Sequence, residues 1–275
     1  MSRSDYLATA AQLGHAQVID VRWQLNEPPG TGRAAYEAGH IPGALFLSLE
    51  DVLTQPNPDK TLGRHPMPTA EHLSVGLGQL GIDPARPIVV YDEPGTSAAA
   101  RAWWVLRWAG LDVRVLDGGW PAVRDGGWPA WLASGAEPET GPRAAPPVTV
   151  QLTTGHLPTI YADAIPTWPG SLVDVRAAER YRGEVEPIDA KAGHIPGAVN
   201  RPVAALWDAQ GAMPDDETLK AYFCDLKEPL ALYCGSGVSA CQGILALAVI
   251  GIEATLYPPS WSGWSADQLH EVATG

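Results

Sequence analysis

The residue with the most distinctive chemical setting is Cys234, which follows the apolar run PLALY and opens the stretch CGSGVS, residues 234 to 239. An apolar strand, a glycine loop and a helix beginning near Ser239 put a thiol outside the carboxyl end of a strand, where ligands bind in open α/β sheets. Gly235 and Gly237 permit a tight turn that aims backbone N–H groups inward, and such a nest at a helix N-terminus favours negative charge. The thiolate is the nucleophilic form of cysteine. The expected chemistry is therefore nucleophilic attack by a Cys234 thiolate that the loop Gly235, Ser236, Gly237, Val238 and Ser239 stabilises. Cys224 and Cys241 lack such a loop and read as small buried core residues. Three cysteines without a C-x-x-C pair suit neither a disulfide framework nor zinc, so no metal site is expected.

The elements that position this loop occur twice. VIDVR (Val18 to Arg22) returns as LVDVR (Leu172 to Arg176), and AGHIPGAL (Ala38 to Leu45) returns as AGHIPGAV (Ala192 to Val199), with the offset 172 − 18 = 192 − 38 = 154 in both cases. PIVVYD (Pro87 to Asp92) matches PLALYC (Pro229 to Cys234), and LDGGW (Leu116 to Trp120) matches YPPSW (Tyr257 to Trp261). The counterpart of Cys234 is thus Asp92, which is no sulfur nucleophile, so one site per chain is expected. Between the halves, ASGAEPETGPRAAPP (Ala133 to Pro147) is rich in Ala, Gly and Pro and reads as a surface linker. The expected domains are 1–137, silent, and 149–275, catalytic, joined by a linker at 138–148. Continuous apolar runs at Val18 to Val21, Ile88 to Tyr91, Val113 to Leu116, Leu172 to Val175 and Leu230 to Tyr233 imply strands buried on both faces. They alternate with helical patterns, of which Ser97 to Ala109 and Ser239 to Ile250 end before Gly110 and Gly251. The fold class is α/β, with a mainly parallel sheet in each half and helices on both faces.

A net charge of −13 repels phosphates, so neither nucleic acid nor an anionic membrane is an expected partner. The apolar stretch Gly243 to Ile252 is too short to span a bilayer. The N-terminus lacks the basic and apolar parts of a secretory signal, and the expected location is the cytoplasm.

At CGSGVSA, with HIPGA twice and SWSGW near the C-terminus, the chain resembles the tandem-domain rhodanese family, which includes thiosulfate and 3-mercaptopyruvate sulfurtransferases. The resemblance covers nearly the whole chain. It implies two rhodanese-like domains, the first silent, and a double displacement through a Cys234 persulfide without any cofactor. The implied partners are a small-molecule sulfur donor and a thiophilic acceptor: cyanide, a small thiol or a thioredoxin-like protein. CGSGV is similar to the loop of mercaptopyruvate enzymes, since thiosulfate enzymes carry basic residues there. The resemblance assigns catalytic roles to Ser236 and Glu50 and donor binding to Arg180, in Glu179-Arg180-Tyr181, and to His65, in GRHPMP. The chain departs from the family where a second substrate arginine is replaced by Ile188 and where Asp-Gly before the last SW is Pro258-Pro259. Arg201, beside the second HIPGAVN, is a further cation placed to turn inward.

Two rival readings are weaker. A cysteine-loop phosphatase needs an arginine six positions after the cysteine to grip phosphate, and that position is Ala240. A binding module without turnover would not need the thiol within a glycine loop, whereas a module that delivers sulfur to a partner, with little small-molecule turnover, would have the same sequence features.

Overall fold

A computed structural model describes residues 2–93, 97–119, 137–208 and 211–275. Trp120 and the start of the stretch read as a linker, 133–136, lie outside the described residues. The chain divides into two compact units. The first takes in Met1–Thr54, Pro68–His156 and Trp207–Met213, and the second takes in Gln55–Met67, Leu157–Leu206 and Pro214–Gly275. A segment of the N-terminal half therefore belongs to the second unit.

In the first unit the strands are β1 (Leu7–Ala8), β2 (Gln17–Asp20), β3 (Leu45–Phe46), β4 (Ile88–Tyr91) and β5 (Val113–Leu116). They pair in parallel in the order β1-β5-β4-β2-β3. Helices α1 (Thr31–Ala38), α2 (Ala70–Gln79) and α3 (Ala98–Trp108) complete the described layers. Every residue of β2 and β4 is buried, as a sheet covered on both faces requires.

The second unit contains β6 (Leu172–Asp174), β7 (Val199–Asn200), β8 (Leu230–Tyr233) and β9 (Ala254–Leu256), parallel in the order β7-β6-β8-β9. Its helices are α4 (Ala178–Tyr181), α5 (Asp216–Phe223), α6 (Ser239–Val249) and α7 (Ser260–Ala266). Both α3 and α6 stop where the sequence pattern predicts, just before Gly110 and Gly251, whose φ values of 87° and 83° are left-handed. The two-residue strands β3 and β7 escape the sequence pattern because two residues show no alternation.

The repeated motifs do scaffold work in each unit. Arg22 folds back on Asp20 at 2.7 Å, and Arg176 on Asp174 at 2.6 Å, both pairs buried. Each arginine also donates to the carbonyl before HIPGA, Gly39 or Gly193. The HIPGA histidines stack on tyrosines, His40 on Tyr36 at 3.9 Å and His194 on Tyr181 at 3.7 Å. Each histidine backbone exchanges two hydrogen bonds with a later stretch of its own unit, His40 with Glu139 and His194 with Ala273. Glu139, within the stretch read as a linker, is thus held on the first unit, where its carboxylate also accepts the Gly43 N–H at 2.7 Å. Among the described residues no helix is long and apolar enough to cross a membrane.

Candidate active site

Cys234 stands between β8 and α6, 1% exposed, and its Sγ accepts the N–H of Gly237 at 3.1 Å. That geometry needs Gly237 in the left-handed region, at φ 79°, where a side chain is strained. The loop is clamped by the first turn of α7. Ser260 Oγ accepts the Cys234 N–H at 3.1 Å and donates to the Tyr257 carbonyl at 3.0 Å. The N–H groups of Trp261 and Ser262 donate to the carbonyls of Cys234 (2.9 Å) and Gly235 (2.8 Å). Ser260 holds φ 54°, a strained value for a non-glycine residue of order 1–3 kcal/mol, which these bonds over-determine.

A second wall comes from the segment Gln55–Met67. At Gly63 a Cβ would lie 2.5 Å from the Pro259 carbonyl oxygen, and at Gly263 it would lie 2.4 Å from that of Thr61. Only glycines let these two backbones touch. The contact sets Arg64, whose N–H donates to Ser262 Oγ at 3.1 Å, and His65, whose Nδ1 is hydrogen-bonded to Ser236 Oγ at 2.8 Å. Both His65 and Ser236 are buried.

Two guanidinium groups converge on Gly235. A Cβ built there would lie 3.1 Å from Arg64 Nη2 and 3.5 Å from Arg180 Nη1. Their other edges are anchored: Arg64 Nη1 donates to Asp189, and Arg180 Nη2 donates to Glu186 at 2.6 Å and to Asp189 at 3.4 Å. Burial pushes the Asp189 carboxyl above its ordinary range, opposed by Arg64 and Arg180. Burial acts the same way on Glu186, but the N–H groups of Asp189 and Ile188 and the Arg180 guanidinium outweigh it and hold that carboxyl below its ordinary value.

The structure thus brings Cys234, Gly235, Ser236, Gly237, Val238, Ser239, Arg180 and His65 together in the second unit. Glu50 belongs to the first unit, where its Oε1 accepts the Trp23 indole N–H at 3.1 Å. Arg201 is occupied by Asp225 and by the Asn200 carbonyl. Cys241 is buried as expected, its Sγ on the Gly237 carbonyl at 3.3 Å. Cys224 corrects the sequence reading: it is exposed, because it caps the C-terminus of α5 one residue after Phe223 has taken the core position. Arg64 escaped the sequence reading altogether. It adjoins His65 in GRHPMP, but its partner Asp189 lies 125 residues away. Among the described residues no group of three His, Cys, Asp or Glu side chains is placed to hold a metal ion.

A duplicated parallel-sheet unit with a thiol in a glycine loop defines a class, and the rhodanese-like domain matches the chain at residues 4–125 and 158–267. The chain belongs to the rhodanese-like family and is a sulfurtransferase. Among its relatives, Mycobacterium tuberculosis SseB, which carries a thiosulfate sulfurtransferase name, is 42% identical over 100% of this chain and 99% of its own length. A Pseudomonas aeruginosa protein named as a probable 3-mercaptopyruvate sulfurtransferase is 38% identical over 94% of this chain and 92% of its own. The crystal structure of SseA from Escherichia coli, titled as a 3-mercaptopyruvate sulfotransferase, superposes with a TM-score of 0.77 at 28% identity, covering 93% of this chain and 98% of that one.

Proposed function

We propose that Cys234 carries the transferred sulfur as a persulfide, taken by preference from 3-mercaptopyruvate. The observation that carries this reading is the Gly237 N–H directed at Sγ at 3.1 Å beside an arginine, Arg180, that faces the adjacent Gly235. The Cys234 thiolate attacks the donor sulfur. An S–S bond forms as the donor's C–S bond breaks, and the electron pair leaves as the enolate of pyruvate, which takes up a proton. Ser236, hydrogen-bonded to His65, donates to the oxygen on which that charge develops. The backbone of Gly235, Ser236, Gly237, Val238 and Ser239 encloses the outer sulfur. Cyanide then takes that sulfur and leaves as thiocyanate, returning the thiolate. A small thiol or a thioredoxin-like protein does the same by thiol exchange. The chemistry uses no metal or organic cofactor, and it suits the cytoplasm, where thiols stay reduced.

A second reading, thiosulfate as the preferred donor, is favoured by the name of the Mycobacterium tuberculosis relative. Initial rates with each donor and with cyanide separate the two. The expected result is a higher kcat/KM for 3-mercaptopyruvate, with mass spectrometry showing about +32 Da on the Cys234 peptide after donor treatment. A higher value for thiosulfate refutes the donor, and persulfide mainly on Cys224 or Cys241 refutes the carrier.

A further inference from the structure

We infer that Arg64 is a second anion-binding arginine of this site, closing with Arg180 on the donor's carboxylate above Gly235. The inference deepens the proposed function and rests on it. Gly235 directly follows the nucleophile and, with Ser239, is one of the loop residues that is not fully buried, so an approaching donor meets it first. Arg64 Nη2 and Arg180 Nη1 both face it, at 3.1 and 3.5 Å from where a Cβ would stand. Asp189 and Glu186 hold the far edges of the two guanidiniums, fixing planes that present N–H groups to a ligand. The Nε atoms of both arginines are buried without a hydrogen-bond partner among the described residues. A planar carboxylate is matched by such forks better than by a point charge.

The same geometry accounts for Ile188. That position, where the family pattern has an arginine, contributes only its backbone N–H, which donates to Glu186 at 3.1 Å. The second cation comes instead from a segment more than a hundred residues upstream, seated by the Gly63 and Gly263 backbone contact. Its side chain is about a quarter exposed, so it borders the entrance rather than the core.

The test compares alkylation of Cys234 in the full-length protein by anionic iodoacetate and by neutral iodoacetamide, followed by intact mass. The iodoacetate-to-iodoacetamide rate ratio should fall about tenfold in Arg64→Gln and stay near the parent value in Arg64→Lys, which keeps the charge. The KM for 3-mercaptopyruvate should rise about ten- to a hundredfold in Arg64→Gln, with a smaller change in kcat, the effect of losing one hydrogen bond to a charged group. Should Arg64→Gln fail to fold, Arg64→Lys decides alone: a retained ratio with a raised KM upholds the inference, and an unchanged KM overturns it. In a folded Arg64→Gln, an unchanged ratio overturns the inference whatever the donor. A lowered ratio in an enzyme that does not turn over 3-mercaptopyruvate upholds the anion seat and overturns the donor reading alone.

Discussion

At the ends of β4 and β8 the chain places different atoms in the same local frame. Each strand finishes in a buried tyrosine whose hydroxyl accepts the isoleucine N–H of HIPGA, Tyr91 from Ile41 at 3.3 Å and Tyr233 from Ile195 at 3.1 Å. The next residue faces the start of a helix. In the first unit Asp92 Oδ2 accepts the Ala99 N–H at 2.9 Å, and in the second Cys234 Sγ accepts the Gly237 N–H at 3.1 Å. The scaffold therefore offers an anion-favouring position in both halves. A carboxylate there caps a helix, whereas a thiol there can exchange sulfur. The neighbours diverge in the same sense: Asp92 is followed by Glu93, and Cys234 by Gly235 beneath two arginines.

The largest effect expected from this comparison is at the two positions themselves. Cys234→Ser should lower sulfur transfer by about 10³-fold or more, the scale on which loss of a nucleophile acts. Adding Asp92→Cys to that variant should restore nothing, because Glu93 sets a negative charge beside the new thiol. Recovered turnover in a cyanide assay would break the comparison. Next in size, Ser236→Ala should cut kcat for 3-mercaptopyruvate by about a hundredfold, as removal of a donor to developing charge does. An unchanged kcat would leave the His65–Ser236 bond a packing feature.

A smaller contrast concerns the carboxylates that back the duplicated arginines. Glu186 meets Arg176 at 3.4 Å and is 3% exposed, while Glu93 meets Arg22 at 3.3 Å and is 39% exposed. Glu186→Gln should cost about 2 kcal/mol at neutral pH, the worth of a hydrogen bond to a charged group. Glu93→Gln should cost under about 1 kcal/mol. Because the Glu186 carboxyl is held low in the folded state, its contribution is present above the unfolded glutamate value of about 4.3 and is lost as pH falls through the lower folded value. Urea midpoints between neutral and acid pH should therefore fall less steeply in Glu186→Gln than in the parent, and equal slopes would remove the linkage. Least of all, Asp92→Ala should lower stability by about 1 kcal/mol, the scale of a lost helix cap, with turnover unchanged. Calorimetry and the donor assay read both parts.

Much of this was legible in the residues. The return of VIDVR and AGHIPGA at one shared offset announced two copies of one unit, and the run from PLALY into CGSGVS placed a thiol between strand and helix, because both depend on neighbours in the chain. Where the reading failed, the cause was packing at a distance. Cys224 looked like a core residue by type, but Phe223 beside it points inward and leaves the cysteine exposed. Arg201 looked able to turn inward until Asp225, from the end of α5, claimed it.

The sequence by itself determined the α/β class, the inequality of Cys234 and Asp92, and the absence of charge in the loop Gly235-Ser236-Gly237, since each follows from local order and side-chain chemistry. Only the tertiary structure decided what surrounds that loop. His65 reaches Ser236 across 171 residues, and Arg64 reaches Gly235, because Gly63 and Gly263 let two distant backbones meet without side chains between them. No periodicity or spacing records such a meeting, for its energy lies in a contact between segments whose order along the chain is unrelated to their place in space.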